Sequence, residues 1–303
     1  MKAVVYEKYG PPEVLEFKDV RKPSPRRNEI LIRVRAATVS AGDSRMRRAD
    51  PFLVRLVAGL FRPRRIPILG FELAGDVEAV GDDVKRFRPG DAVFAFTGFR
   101  FGAHAEYRCV QQSGKLKRGL AAPKPTNMTY EEAAAVPVGG LTALGFLRKG
   151  QIEKRRSVLI YGASGSVGTY AVQLARHFGA DVTGVCSTAN VELVRSLGAQ
   201  RVIDYTAEDF TKSQDRYDFT FDAVGKLAAS GGRGSLAEDG VFLSVRSSMT
   251  YPLEDLILLK ELIEAGEIRA VIDRRYPLSE IVEAHRYVDA GHKKGNVVIS
   301  MPG

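Results

Sequence analysis

The spacing of apolar residues along this chain changes near residue 120. Before that point they fall into short runs, "AVVYEKYG", "LEFKDV", "EILIRVRAATV", "FELAGDVEAVG", "DAVFAFTG" and "HAEYRCV", separated by Gly, Pro and Asp. Runs of that length bounded by turn formers predict strands, so residues 1 to about 120 are expected to be all-β. From about residue 121 the stretch "TYEEAAAVPVGGLTALGFLRKG" is rich in Ala and predicts helix. Apolar strands then alternate with helices. "SVLIYG" leads to "VGTYAVQLARHFGA", "DVTGVCS" leads to "NVELVRSLGA", and "RVIDY", "YDFTFDAVG" and "GVFLSV" follow. Alternation at that spacing predicts a parallel sheet with helices on both faces. Gly179 in "FGAD" and Gly198 in "LGAQ" stand where helices stop. "LEDLILLKELIEAGEI" and "EIVEAHRYVDAG" predict two more helices and "GNVVISM" a final strand. No internal repeat or low-complexity tract interrupts the pattern.

Composition narrows the class. At 303 residues the chain suits one large domain or two ordinary ones, and a hydrophobic fraction of 45% supplies a sizeable core. Its two cysteines, Cys109 and Cys186, are far apart. They exclude a disulfide scaffold and a multi-cysteine zinc module, and they suit a reducing cytosol. "MKAVVYEKYG" has no apolar signal core, so a cytoplasmic protein is expected. The longest candidate for membrane contact, "PFLVRLVAGLF" at residues 51–61, is too short to span a bilayer and carries Arg55. The net charge is +9, with arginine dense in "RKPSPRR" and "FRPRR". No aromatic-interleaved basic motif or helix-turn-helix pattern accompanies it, so nucleic acid is not the expected main partner. A basic, solvated face helped by an anionic ligand is the simpler account.

That ligand has a candidate seat. In "SVLIYGASGSVGTYAVQLAR", residues 157–176, a buried strand runs into a small-residue turn and then a helix. Gly162, Gly165 and Gly168 recur at three-residue spacing, with Ala163, Ser164, Ser166 and Val167 between them. The helix N-terminus offers N–H groups and a positive dipole end to the turn. Glycines there let the backbone approach a pyrophosphate, and the last one allows close packing of helix on strand. The spacing is GxxGxxG rather than the commoner GxGxxG, but strand, helix and following strand are all in place. The turn therefore predicts a bound dinucleotide. NAD sites usually carry an acid at the end of the second strand. Here that strand ends in Ser187, Thr188, Ala189 and Asn190, with no acid before Glu192. Hydroxyls and an amide favour a 2′-phosphate, hence NADP (NADPH). No Arg or Lys lies in this stretch, and Arg195 follows one helical turn later.

These motifs, in this order, resemble the medium-chain dehydrogenase/reductase superfamily, specifically its zinc-free quinone-oxidoreductase-like branch. The resemblance spans nearly the whole chain. It rests on "MKAVVYEKYGPPEVLEF", "GFELAGDVEAVG", "VKRFRPGDAVFA", "GAHAEY", "EEAAAVPVGGLTAL", "YGASGSVGTYAVQLAR", "GAQRVIDY", "FDAVG" and "GNVVIS". It implies an α/β protein in which a Rossmann doubly wound parallel sheet, residues 122–271, is inserted in a GroES-like β domain made of residues 1–121 and 272–303. The cofactor would lie in the cleft between them.

The resemblance also assigns residues one at a time. Thr142 matches a nicotinamide contact and Tyr205 a residue near the adenosine phosphate. Asn190 stands where some NADPH-binding relatives have lysine. Ala223 and Val224 end the fourth strand beside the nicotinamide ribose, Ser244 and Val245 end the fifth, and Asn296 matches a late nicotinamide contact. Ser40 and Asp43 match the substrate-side loop. Zinc enzymes of the family place a histidine before the Glu of "GFELAG", where this chain has Phe71. The cysteine ligand expected near "TVSAGDSR" is absent, as is the four-cysteine structural lobe. The four histidines, His104, His177, His285 and His292, fall in separate elements. No zinc is therefore expected. Without a metal, alkoxide oxidation is hard at neutral pH, whereas an electron-poor quinone or conjugated C=C bond needs less electrophilic help.

The expected activity is metal-free, NADPH-dependent hydride transfer to quinones or enones, with a small hydrophobic molecule as substrate. An alcohol dehydrogenase or carbonyl reductase of the same superfamily is the nearer alternative. A non-catalytic nucleotide-sensing or nucleic-acid-binding protein on this fold is the more distant one. No residue is assigned as catalytic; Tyr107 and solvent both remain open as proton donors. A homodimer is left open, because only "RSSMT" separates the fifth strand from the next helix, where longer relatives have a sixth strand. In residues 45–65, Phe52, Leu53, Leu56, Val57 and Leu60 recur at helical spacing. They predict either a surface helix packed on the β domain or a lid giving an apolar wall to a bulky substrate at the cleft mouth.

Overall fold

The computed structural model describes residues 1–113, 118–154, 156–247 and 249–302. They divide into two compact units. One comprises Met1–Val138, Pro252–Lys260 and Ile272–Gly303, the other Gly139–Tyr251 and Glu261–Val271.

The first unit opens with an antiparallel pair, β1 (Lys2–Tyr6) and β2 (Leu15–Asp19). β3 (Glu29–Val39) is its longest strand, and helices α1 (Ala41–Arg48) and α2 (Val54–Ala58) follow, so the region is not purely β. β4 (Glu72–Val80), β5 (Ala92–Phe96), β6 (Tyr107–Gln111) and β7 (Leu120–Pro123) come next. Helix α3 (Tyr130–Ala134) is opened by a Thr129–Glu132 capping box. Pro137 then starts a separate helix, α4 (Pro137–Lys149), where the sequence pattern had suggested one continuous run.

The packed face expected of residues 45–65 does not form. Phe52, Leu53, Leu56, Val57 and Leu60 are 48–66% exposed. Pro51 and Pro63 bracket the segment, and Gly59, at φ 134°, ends its only five-residue helix. The residues that anchor it are Ala49, Ala58 and Ile66, all buried.

The second unit holds β8 (Ser157–Tyr161), α5 (Ser166–His177), β9 (Asp181–Cys186), α6 (Val191–Ser196), β10 (Arg201–Asp204), β11 (Tyr217–Asp222), α7 (Ala229–Gly234) and β12 (Leu236–Ser244). The strands form a parallel sheet in the order β10-β9-β8-β11-β12. Strands buried on both sides need near-continuous apolar sequence, as in "VLI" of β8. Gly179 and Gly198 lie at φ 84° and 106°, as helix-stop glycines do. No described residue after β12 adds a sixth strand before α8 (Leu253–Glu264); Ser248, within "RSSMT", lies outside the described residues.

The chain then returns through β13 (Ile272–Pro277), α9 (Ile281–Asp289) and β14 (Asn296–Ser300). The first unit's main sheet runs β13-β14-β3-β4-β5-β7, with β6 also paired to β3. One apolar cluster joins Ile30, Ile32 and Val34 to Leu73, Val93 and Val110. Another joins Val297 and Ile299 to Ile281, Ala284 and Val288 of α9.

Candidate functional site

The three glycines after β8 answer to different demands. Gly162 takes φ 79°, and a Cβ there would lie 2.1 Å from Val224 Cγ2. Gly168 packs α5 on the turn so closely that a Cβ would lie 2.1 Å from the Gly162 carbonyl oxygen and 2.8 Å from Ala163 Cα. Gly165 is under neither constraint. It is the N-cap of α5 at φ −78°, and a Cβ there would meet only the Gly162 oxygen, at 3.4 Å. Its bare backbone therefore faces open space at the helix N-terminus. The N–H groups of Val167 and Gly168 have no carbonyl behind them within the helix. The turn is held by the Gly162 and Ala163 N–H groups, each donating to Val185 O at 3.0 Å. Ser164, Ser166 and Val167 stand half-buried around it. A cradle with a vacant Cβ position at a helix N-terminus fits a pyrophosphate.

Apart from Thr142, the other sequence-predicted residues of this unit lie at or just beyond the carboxyl ends of the same strands. Strand order reverses between β8 and β11, the place where open α/β sheets bind ligands. Ser187, Thr188 and Asn190 follow β9, and Asn190 Nδ2 donates to Ser187 Oγ at 3.1 Å. Thr188 is exposed and donates its hydroxyl to Asp204 Oδ2, at 2.5 Å, at the end of β10. The Thr188 and Thr206 hydroxyls hold the Asp204 carboxyl below its usual range. Tyr205 beside it is 52% exposed. Arg195 does not reach this group: it pairs with Glu192 at 2.7 Å on its own helix.

Asp222 organises the loop that follows β11, although the sequence reading assigned it no role. Fully buried at the end of β11, it accepts N–H bonds from Val224 (3.1 Å), Gly225 (2.8 Å) and Leu227 (3.2 Å), and the Ser244 hydroxyl (3.0 Å). Its backbone oxygen takes the Val245 N–H at 3.0 Å, while Ala223 N–H donates to Tyr161 O at 3.0 Å. One carboxylate thus fixes Val224, Ser244 and their neighbours. The visible signal was an acid ending an otherwise apolar strand, "YDFTFD". Thr142 on α4 has its hydroxyl 3.0 Å from the phenol oxygen of Tyr251, a second residue the sequence reading passed over. Burial pushes the Tyr251 phenol above its ordinary range against the downward pull of Thr142.

The remaining predicted residues belong to the first unit. Ser40 and Asp43 form the capping box of α1. Asp43 is buried, with Oδ2 taking the Ser40 N–H (2.9 Å) and hydroxyl (2.6 Å) and Oδ1 the Gly70 N–H (2.8 Å). Asn296 begins β14 and is buried. Glu72 of the "GFELAG" motif is buried too, accepting from the Thr38 hydroxyl and the Val138 N–H, each at 2.6 Å. Burial pushes its carboxyl up to about 7. Half-buried Lys293 is pushed down to about 8 by desolvation, against the pull of Glu72 and Asp273. Phe71 packs against Phe101 at 4.0 Å between ring centres and stacks on Phe96. His104 binds Thr38 O at 2.9 Å and meets His285 edge to face. Among the described residues no group of three His, Cys, Asp or Glu side chains is placed to hold a metal ion. A recess of about 310 Å³ lined by Val5, Tyr6, Arg62, Arg64 and Pro67 contains none of the predicted site residues.

A parallel sheet with a glycine turn at its switch point, together with a separate β unit whose sheet is mostly antiparallel, defines a dinucleotide-dependent oxidoreductase architecture. Comparison with known proteins gives the family. Residues 26–123 match the alcohol dehydrogenase GroES-like domain and residues 233–299 the zinc-binding dehydrogenase domain. The chain is 34% identical to 2-methylene-furan-3-one reductase of Solanum lycopersicum, over 99% of this chain and 79% of that one. It is 32% identical to the chloroplastic NADPH-dependent alkenal/one oxidoreductase of Arabidopsis thaliana, with the same coverage. The quinone oxidoreductase from Coxiella burnetii superposes with a TM-score of 0.89 at 29% identity, over 100% of this chain and 99% of that one. The chain belongs to the medium-chain dehydrogenase/reductase superfamily, in its quinone-oxidoreductase-like branch.

Proposed function

We propose that this protein is an NADPH-dependent reductase of quinones or activated C=C bonds that works without a metal. The observation that carries the reading is the vacant Cβ position at Gly165, beside the N-terminus of α5 and at the sheet's switch point. The names of the relatives support the substrate class. When bound, the reduced nicotinamide supplies a hydride. The chain's own groups do the rest. The turn from Gly162 to Gly168 receives the pyrophosphate, with first-turn N–H groups as donors. Ser187, Thr188, Asn190 and Tyr205 line the adenosine end. Ala223, Val224, Ser244 and Val245, the last three held by Asp222, and Thr142 line the nicotinamide end, to which Asn296 is also assigned; Ser40 and Asp43 are assigned to the substrate-side loop. Tyr251, protonated across the neutral range and hydrogen-bonded to Thr142, is the hydroxyl this unit offers for returning a proton. Phe71, packed among aromatic rings, supports the metal-free assignment. The two free cysteines support a reducing compartment.

The test is steady NADPH consumption with a panel of quinones and enones, in the presence and absence of a chelator. Turnover unaffected by the chelator is expected; no turnover with any of the panel sinks the reading. A second reading, NADH in place of NADPH, is favoured by Asp204, an ionised carboxylate bonded to Thr188 where a 2′-phosphate is expected. The ratio of kcat/KM for the two cofactors decides between them, and Asp204→Asn should move that ratio toward NADPH.

A further inference from the structure

Of the nine large apolar side chains that stand exposed among the described residues, six fall within residues 52–61: Phe52, Leu53, Leu56, Val57, Leu60 and Phe61, from 48% to 83% exposed. Such a patch on a folded unit marks a surface that is covered in use. It is not a loosely attached flap. The Tyr9 hydroxyl donates to Gly59 O at 2.6 Å, Arg65 N–H to Ala58 O at 3.0 Å, and Arg55 lies 4.8 Å from the Tyr9 ring centre. Ala58 is buried beneath the segment. The backbone is therefore pinned while the apolar side chains point outward.

The charges around the patch say what covers it. Arg45, Arg48, Arg62, Arg64 and Arg65 are exposed at its two ends. Among the described residues none of the five has a carboxylate within salt-bridge distance, whereas Arg27, Arg201, Arg275 and Arg286 elsewhere do. Asp50 is the only acid in residues 45–65. A second copy of the chain, docked by the same face, would set arginine against arginine. A bilayer surface of anionic lipid presents the opposite charge, with acyl chains beneath to take the apolar residues. No helix of the described residues is long and apolar enough to cross a membrane, so the contact is interfacial.

We propose that residues 52–65 dock the protein on anionic lipid bilayers, with Phe52, Leu56, Leu60 and Phe61 entering the headgroup boundary and Arg62, Arg64 and Arg65 binding lipid phosphates. Docking by this face involves no residue of the cofactor turn, and its test needs no nucleotide. The chain contains no tryptophan, so Phe61→Trp creates a single fluorescent reporter. With vesicles of phosphatidylcholine and phosphatidylglycerol in equal amounts, its emission should shift to the blue and be quenched by lipids brominated on the acyl chain. With phosphatidylcholine alone neither should happen. The unlabelled wild-type protein should float with the anionic vesicles in a density gradient. Replacing Arg62, Arg64 and Arg65 together with Gln should weaken that partition roughly a hundredfold. Leu56→Ser with Leu60→Ser should weaken it at least about tenfold at an unchanged melting temperature, because both side chains are exposed. Wild-type protein that stays at the bottom of the gradient, or that binds neutral and anionic vesicles alike, overturns the proposal. So does a concentration-dependent dimer that the Leu56→Ser, Leu60→Ser pair abolishes.

Discussion

Gly162, Gly165 and Gly168 show how one residue type serves three ends in a single turn. Replacing Gly168 with Ala forces a Cβ to 2.1 Å from a carbonyl oxygen, so the protein should lose stability before binding is examined. Gly165→Val is the informative change. The backbone angle suits any residue, and a Cβ there meets nothing closer than 3.4 Å. The melting temperature should hold while NADPH affinity falls at least tenfold, about 1.4 kcal/mol, by isothermal titration. Unchanged affinity would remove the turn from the site. Glu72 predicts a pH dependence. Its folded carboxyl titrates near 7 against an ordinary 4.5, so the folded state holds a proton that the unfolded chain has released. Stability on this account is full at low pH and declines as pH rises from 4.5 through 7. Glu72→Gln removes the titration. Relative to wild type its unfolding free energy should improve by about 3 kcal/mol between the two ends of that window, read by denaturant titration.

At the level of elements, Asp222 ties the end of β11 to the following loop and to the end of β12. Asp222→Ala strips the acceptor from three N–H groups and the Ser244 hydroxyl. A loss of at least about 2 kcal/mol is expected, with faster hydrogen exchange at Val224, Gly225 and Leu227 and weaker cofactor binding. The chain's own text announced β8, α5 and their turn, because apolar period and glycine spacing there agree. It did not announce α7, whose sequence "ASGGRG" holds three glycines in six residues. Gly232 is needed because a Cβ there would strike the Phe242 ring at 2.3 Å, so packing on β12 overrides weak helix propensity. β13, "IDRRYP", escaped for a similar reason: an edge strand rich in charge lacks an apolar period. In the site, the pair Thr142 and Tyr251 joins residues 109 apart in sequence. No local pattern carries such a contact.

The molecule as a whole predicts its own metal content. Phe71 is enclosed by aromatic rings, and the described His, Cys, Asp and Glu side chains form no group of three suited to an ion. Zinc measured by elemental analysis after dialysis should be negligible; tightly held, stoichiometric zinc would overturn the metal-free assignment. The order of strands has a consequence for how the protein is made. β14 lies directly against the far half of β3, Val297 opposite Val39 and Ser300 opposite Ala36, yet β3 leaves the ribosome long before β14. The five strands of the parallel sheet all emerge between these two, so that sheet is complete while β3 still waits with an open flank. An unpaired strand edge held open through synthesis is an invitation to wrong partners. Ribosome-bound chains stopped before Asn296 should therefore bind holding chaperones and pellet on release, and extending them through Ser300 should abolish both.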